Sequence, residues 1–165
     1  MSGAVFSPDG KLVASHHQKP GIWLWDPANG NMKRKIDTDQ LNPHSLVFSP
    51  DSRLLAANFG AAMRIWDLQT GECVTRFPEA HVLPVTLIAF SPKSGVVATV
   101  GEDNAVRLWD VAAGRQRRVF QHAIWVRGLA FSPDGKLLAS SCLDDSVRVF
   151  DEGSGREIYK LAGHS

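Results

Sequence analysis

Apolar residues along this chain fall in runs of four to seven, many of them β-branched or aromatic, and the runs are broken by Pro, Gly, Asp and Asn. That pattern predicts short β-strands joined by tight turns. No stretch keeps a 3.6-residue apolar period, so helices should be nearly absent. The C-terminal part shows the scheme most clearly. Val126 to Phe131 reads as a strand, and Ser132-Pro133-Asp134-Gly135 as a turn in which Pro presets φ and Gly accepts φ > 0. Lys136 to Ser141 returns as a second strand, and Leu143-Asp144-Asp145 turns into a third, Ser146 to Asp151. Glu152 to Gly155 then turns into a fourth, Arg156 to Leu161.

The scheme recurs along the chain. FSPDGK at Phe6 returns as FSPDSR at Phe48, FSPKSG at Phe90 and FSPDGK at Phe131, at offsets of 42, 42 and 41 residues. A second marker keeps step, as Trp25-Asp26, Trp66-Asp67, Trp109-Asp110 and Phe150-Asp151, spaced 41, 43 and 41. The whole of 1–165 therefore divides into four units of four strands, at about 1–41, 42–82, 83–123 and 124–165.

A period of this length, four strands and a closing Trp-Asp resemble the WD-repeat β-propeller family. The resemblance implies an all-β fold of four antiparallel four-stranded blades in an open or incomplete ring, since rings of this family usually have about seven blades. The family's Gly-His dipeptide is intact at Gly163-His164, partial at Ala80-His81 and Gln121-His122, and replaced by Thr38-Asp39. The resemblance also implies a hydrogen-bonded tetrad of His, Ser or Thr, Asp and Trp in each complete blade. The third blade has His81, Thr99, Asp103 and Trp109. The fourth has His122, Ser140 and Asp144, with Phe150 unable to donate an N–H. The first keeps Ser15 and Trp25 but has Lys19 for Asp. The second keeps Trp66 but has Ala56 or Ala57, and Gly60, where polar partners belong. Rigidity should fall from the third blade toward the first two.

Residues early in the first strand, or beside the tetrad Asp, point outward at the narrow end of such propellers. The resemblance implies partner-binding candidates Pro84 and Thr86 in the third blade, Trp125 and Arg127 in the fourth, Asn42 and His44 in the second, and Gln18, Phe59, Glu102 and Leu143 beside the turns. Trp125 ranks first, because Trp and Arg are enriched at binding hot spots and no other repeat has a Trp there.

Composition narrows the chemistry. With 18 Lys+Arg against 17 Asp+Glu, the chain has no basic excess for specific nucleic-acid binding. The runs Lys33-Arg34-Lys35 and Arg115-Gln116-Arg117-Arg118 fall in fourth strands, where charge discourages edge pairing. His81, His122 and His164 are read as structural, and His16 and His17 should face opposite sides of a strand. No hydrolase, metalloprotease, phosphate-loop or calcium-loop motif is present, so no catalytic, cofactor or metal residues are assigned and no enzyme is expected. Cys73 and Cys142 are single, which suits a reducing, cytoplasmic setting, and no apolar window reaches membrane length.

The expected function is a non-enzymatic protein–protein interaction scaffold with protein or peptide partners. The alternative is the regulatory or sensor propeller portion of a larger multidomain protein, such as one carrying a kinase or nucleotide-binding module. Four blades leave apolar faces uncovered, with three accounts in descending order: a piece of a longer gene, two half-rings paired as a homodimer, or a strained four-bladed closure.

Overall fold

The computed structural model describes residues 3–93 and 95–162, which leaves Met1 and the Gly163-His164 dipeptide outside. Sixteen strands, with no helix among the described residues, form four antiparallel sheets of four. The first sheet holds β1 (Gly3–Phe6), β2 (Val13–His16), β3 (Ile22–Trp25) and β4 (Met32–Ile36). The second holds β5 (Leu46–Phe48), β6 (Leu54–Phe59), β7 (Ala62–Asp67) and β8 (Cys73–Phe77). The third holds β9 (Val85–Phe90), β10 (Val96–Gly101), β11 (Ala105–Asp110) and β12 (Arg115–Gln121). The fourth holds β13 (Val126–Phe131), β14 (Leu137–Cys142), β15 (Ser146–Asp151) and β16 (Glu157–Ala162).

Strands lie in chain order within every sheet. The first strands β1, β5, β9 and β13 touch in succession, and each second strand also meets the first strand of the following sheet. The sheets are thus blades of an open propeller, with β4, β8, β12 and β16 outermost. In the fourth blade, the first and third strands occupy their predicted residues, while the second and fourth begin one residue late. Turn chemistry causes the delay: the Lys136 amide donates to Asp134 Oδ1 at 3.0 Å, and the Arg156 carbonyl accepts from the Asp151 amide at 2.9 Å.

The turn after each first strand is built from its own side chains. Ser7 Oγ donates to Asp9 Oδ1 at 2.7 Å and accepts from the Leu12 amide at 2.9 Å. Ser49–Asp51 and Ser132–Asp134 repeat the arrangement, each at 2.6 Å. Lys93 takes the Asp place in the third blade, and there Ser91 Oγ accepts only a long 3.4 Å bond from the Lys93 amide.

Three apolar cores lie between blades. Ala14, Ile22, Leu24 and Ile36 of blade 1 meet Leu46, Phe48, Leu55 and Trp66 of blade 2. Met63, Ile65 and Phe77 of blade 2 meet Ile88, Phe90, Val97 and Trp109 of blade 3. Val96, Ala98, Val106, Leu108 and Phe120 of blade 3 meet Val126, Leu138 and Phe150 of blade 4. Alternation explains the division, since successive residues of a strand serve opposite neighbours.

Candidate functional site

Blade 3 carries a complete chain of side-chain hydrogen bonds from its interior to its rim. The Trp109 indole N–H donates to Thr99 Oγ1 at 2.8 Å, and Thr99 Oγ1 lies 2.7 Å from His81 Nε2. His81 Nδ1 lies 2.8 Å from Asp103 Oδ1, and Arg107 packs against the same ring while holding Asp103 Oδ2 at 2.7 Å. Thr99 accepts the indole proton, so its hydroxyl donates to Nε2 and the neutral ring donates from Nδ1. Burial pushes the His81 pKa below the ordinary histidine value, against the pull of Asp103. Burial acts to raise the Asp103 carboxyl, but the bonds from His81 and Arg107 outweigh it and hold the group below the usual range. Gly101 is required beneath this network, because a Cβ there would collide with the His81 ring and stand 2.6 Å from Asp103 Oδ1.

Blade 4 brings only His122 and Ser140 together, at 2.9 Å between Nε2 and Oγ. Asp144 does not reach the histidine. Its carboxylate accepts from Ser146 Oγ at 2.6 Å, while His122 Nδ1 turns to the Phe120 carbonyl at 3.1 Å. A serine two residues after the Asp offers a nearer donor than the ring. Phe150 stacks on Phe120 at 4.3 Å between centroids and meets the His122 ring edge-on at 5.8 Å. Blade 1 retains the Trp25 N–H bond to Ser15 Oγ at 2.8 Å, and its His16 and His17 point to opposite faces, buried and exposed respectively.

Blade 2 is wired differently. The register pairs Ala57 with Arg64 as it pairs Thr99 with Arg107, so Ala57 occupies the hydroxyl place and Ala56 does not. Asn58 takes over the polar work beside it. It is buried, accepts from Ser45 N and Ser45 Oγ at 2.9 Å each, and donates to the Val85 carbonyl of blade 3 at 2.6 Å. Asp39, in the histidine place, adopts φ 52° and swings out to pair with Arg64 at 2.7 Å and Arg76 at 2.8 Å.

The rim candidates divide clearly. Pro84, Thr86, Trp125, Arg127, Asn42, His44, Gln18, Glu102 and Leu143 are all exposed. Phe59 is not available to a partner. It is buried in the core between blades 1 and 2, edge-on to Trp66 at 6.0 Å and beneath the Arg64 guanidinium at 5.4 Å. Its neighbour Asn58 is buried as well, so simple alternation between core and solvent does not hold here. Main-chain bonds fix the outward pairs: the Leu143 amide donates to the Trp125 carbonyl at 3.0 Å, and the Glu102 amide to the Pro84 carbonyl at 2.9 Å.

Trp125 is 48% exposed, and the Arg127 guanidinium lies 5.6 Å from its ring centroid. Val82 and Leu83 on the connection into blade 3, and Ile124 on the connection into blade 4, are also exposed. Apolar residues directly after His81 and His122, where connections are normally polar, were the signal in the sequence for these three. A shallow cleft of about 390 Å³ lies between blades 1 and 2, lined by His17, Gln18, Asn42, Pro43 and His44. Among the described residues, no group of three or more His, Cys, Asp or Glu is placed to hold a metal ion, and no helix is long and apolar enough to cross a membrane.

Comparison with known proteins agrees with the blade geometry. The family model "WD domain, G-beta repeat" matches residues 71–110 and 114–151. The chain is 29% identical over 110 residues to the transcriptional corepressor LEUNIG_HOMOLOG of Arabidopsis thaliana, covering 66% of this chain and 14% of that protein. It is 30% identical over 112 residues to the target of rapamycin complex subunit wat1 of Schizosaccharomyces pombe, covering 67% of this chain and 36% of that one. It is also 30% identical over 118 residues to the small ribosomal subunit protein RACK1y of Oryza sativa, covering 68% and 35%. The chain thus spans well under half the length of these relatives. With four blades, the repeated Trp-Asp closures and these matches, the chain belongs to the WD-repeat family.

Proposed function

We propose that residues 1–165 act as one partial propeller, with blades at about 1–41, 42–82, 83–123 and 124–165, whose role is non-enzymatic protein–protein scaffolding. The partner is a protein or peptide that docks on the rim of blades 3 and 4. The single observation that carries this reading is Trp125, a large ring held half out of the surface by a fixed backbone and backed by Arg127. An exposed aromatic beside a guanidinium, with exposed Ile124 next to it in the chain and exposed Leu143 bonded to its carbonyl, has the composition of a binding hot spot. Thr86 and Glu102 add exposed polar groups on blade 3, while Gln18, Asn42 and His44 line the cleft between blades 1 and 2. Scaffolding also suits relatives named as a corepressor and as a subunit of a complex.

His81, Asp103, His122 and Ser140 spend their polar atoms on one another or on neighbouring backbone, which supports a structural role over a catalytic one. Free Cys73 and Cys142 suit a reducing compartment such as the cytoplasm. A second reading, a propeller portion within a larger regulatory protein, is favoured by the small share of the corepressor that the chain covers. The test is a quantitative pull-down comparing the chain with Trp125→Ala and Arg127→Ala. Trp125→Ala should weaken capture of the wild-type partner set by about tenfold or more, with a smaller loss for Arg127→Ala. An unchanged partner set with Trp125→Ala overturns the assignment.

A further inference from the structure

Each junction between blades is fastened by a fourth-strand side chain that reaches the turn after the third strand of the next blade. Arg34 donates to the Gln69 carbonyl at 3.5 Å, Thr75 to the Val111 carbonyl at 2.9 Å, and Arg118 to the carbonyls of Glu152, at 3.2 Å, and Gly153. At the same end of the blades, the turn after one first strand meets the corresponding turn of the next blade. Between blades 1 and 2 that meeting is closed: the Asp9 amide donates to Ser52 Oγ at 3.1 Å, and the Asp9 carboxylate is held by Ser7.

Between blades 3 and 4 it is open. Lys93 stands where Asp9 does, and Gly135 where Ser52 does, at φ 70° against 60°. A side chain at 135 would point at blade 3, its Cβ 3.0 Å from Ser91 Oγ and 3.6 Å from Lys93 Cγ. Glycine leaves that space free. A hollow of about 380 Å³ lies there, with Ser91, Lys93, Arg117, Lys136, Asp151 and Glu152 on its walls.

The hollow holds donors without acceptors. Ser7, Ser49 and Ser132 each donate a hydroxyl proton to the Asp two residues on, whereas Ser91 has Lys93 there. Ser91 is 3% exposed, its oxygen accepts only the long bond from the Lys93 amide, and its proton reaches no acceptor among the described residues. A buried hydroxyl in that condition costs free energy until an acceptor arrives. The charges point the same way. Asp151 accepts from the Ser154 amide and hydroxyl at 2.6 Å each, and Glu152 pairs with Arg117 at 3.0 Å, so both carboxylates are engaged. Among the described residues the lysines in ion pairs are Lys33 and Lys160, which leaves Lys93 and Lys136 uncommitted. Asp134, exposed beside the hollow, is already bonded to Ser132 Oγ at 2.6 Å and to the Lys136 amide at 3.0 Å.

We propose that this hollow binds a phosphoryl group, with Ser91 Oγ, Lys93 Nζ and Lys136 Nζ as its donors. A phosphoryl group carries a charge of about −1.5 to −2 and three acceptor oxygens, which answer two ammonium groups and one hydroxyl. A carboxylate brings one charge and two oxygens. The volume also admits the atoms that carry the group. The site lies at the far end of β13 from Trp125, so it is separate from the surface proposed for a protein partner.

The test is a proton–nitrogen NMR titration of the chain at pH 7.5 and constant ionic strength. Inorganic phosphate and N-acetyl-O-phosphoserine amide are the probes, and sodium chloride is the control. Both probes should saturate, with shifts concentrated at the amides of Ser91, Gly95, Gly135, Lys136 and Gly153. Phosphate binding as tightly as phosphoserine supports recognition of the free anion, and tighter phosphoserine binding supports a carried group. Lys93→Asp restores the residue of the other three turns and gives Ser91 its acceptor. It should abolish saturation while keeping the circular dichroism spectrum and the urea midpoint. Lys136→Gln should weaken both probes about tenfold. Shifts no larger than those from chloride, or affinity undiminished in Lys93→Asp or in Lys136→Gln, overturn the proposal.

Discussion

Blades 2 and 3 adjoin, share one core and have the same strand order, yet they solve the same polar problem by different means. Blade 3 uses Trp109, Thr99 and Asp103, lined up with His81 of the connection that enters the blade. Blade 2 has Ala57 in the hydroxyl place and gives the work to Asn58, which bonds to Ser45 in its own blade and to Val85 in the next. The first design fastens the connection between the blades onto the strands of blade 3, while the second runs from a blade 2 strand to the first strand of blade 3. The lesson is that the strand geometry demands satisfied buried polar groups and leaves open which residues satisfy them.

The largest effect should come from Thr99→Val. Its hydroxyl serves both the Trp109 N–H and the His81 ring, so its removal strands two buried groups and should cost about 3 kcal/mol in urea denaturation. In the wild-type chain, amide exchange should be slowest in β10 and β11; slowest exchange in β2–β3 or β6–β7 would break the contrast. Asn58→Leu should cost about 2 kcal/mol, and its mark is location: exchange should quicken in β9 as well as in β6, because the bond to Val85 crosses blades. An effect confined to blade 2 would remove the crosslink interpretation.

A smaller, opposite effect is expected of Phe150→Trp, which gives Ser140 in blade 4 the indole donor that Thr99 has in blade 3. Stability should rise by about 1 kcal/mol; a loss would mean that the Phe120 stack cannot accommodate the larger ring. The mildest test is pH. Burial lowers the pKa of His81 and of His122, so the unfolded chain binds protons that the folded chain resists. Their contribution is complete above the ordinary value of 6.5 and declines as the pH falls below it. The urea midpoint should be lower at pH 5 than at pH 7.5, and exchange should quicken in blades 3 and 4 while blade 2, without a buried histidine in its network, is spared. An equal midpoint at both pH values would contradict this.

Much of the architecture was legible because two independent markers, Phe-Ser-Pro and Trp-Asp, held one period and so placed four strands in each unit. The third-blade residues stood out for the same reason, each falling at its own offset from the markers. What could not be read depends on side chains choosing among near neighbours. Asp144 had a serine two residues away and took it. Phe59 and Asn58 are adjacent and both buried, one by packing on Trp66 and the other by bonding to Ser45 and Val85, which no rule of alternation foretells. Asp39 could leave the histidine place because Arg64 and Arg76 are both close enough to receive it, and Arg76 comes from a different strand.

The bonds from Arg34, Thr75 and Arg118 all run in one direction, from a fourth strand to a turn later in the sequence. During synthesis, each blade is complete and holds its donor ready before the carbonyls that receive it have left the ribosome. Chain growth at about 5–20 residues per second allows seconds for each new blade to dock, so the array can be assembled as a ratchet, each blade templating its successor, with no need to search among four similar units at once.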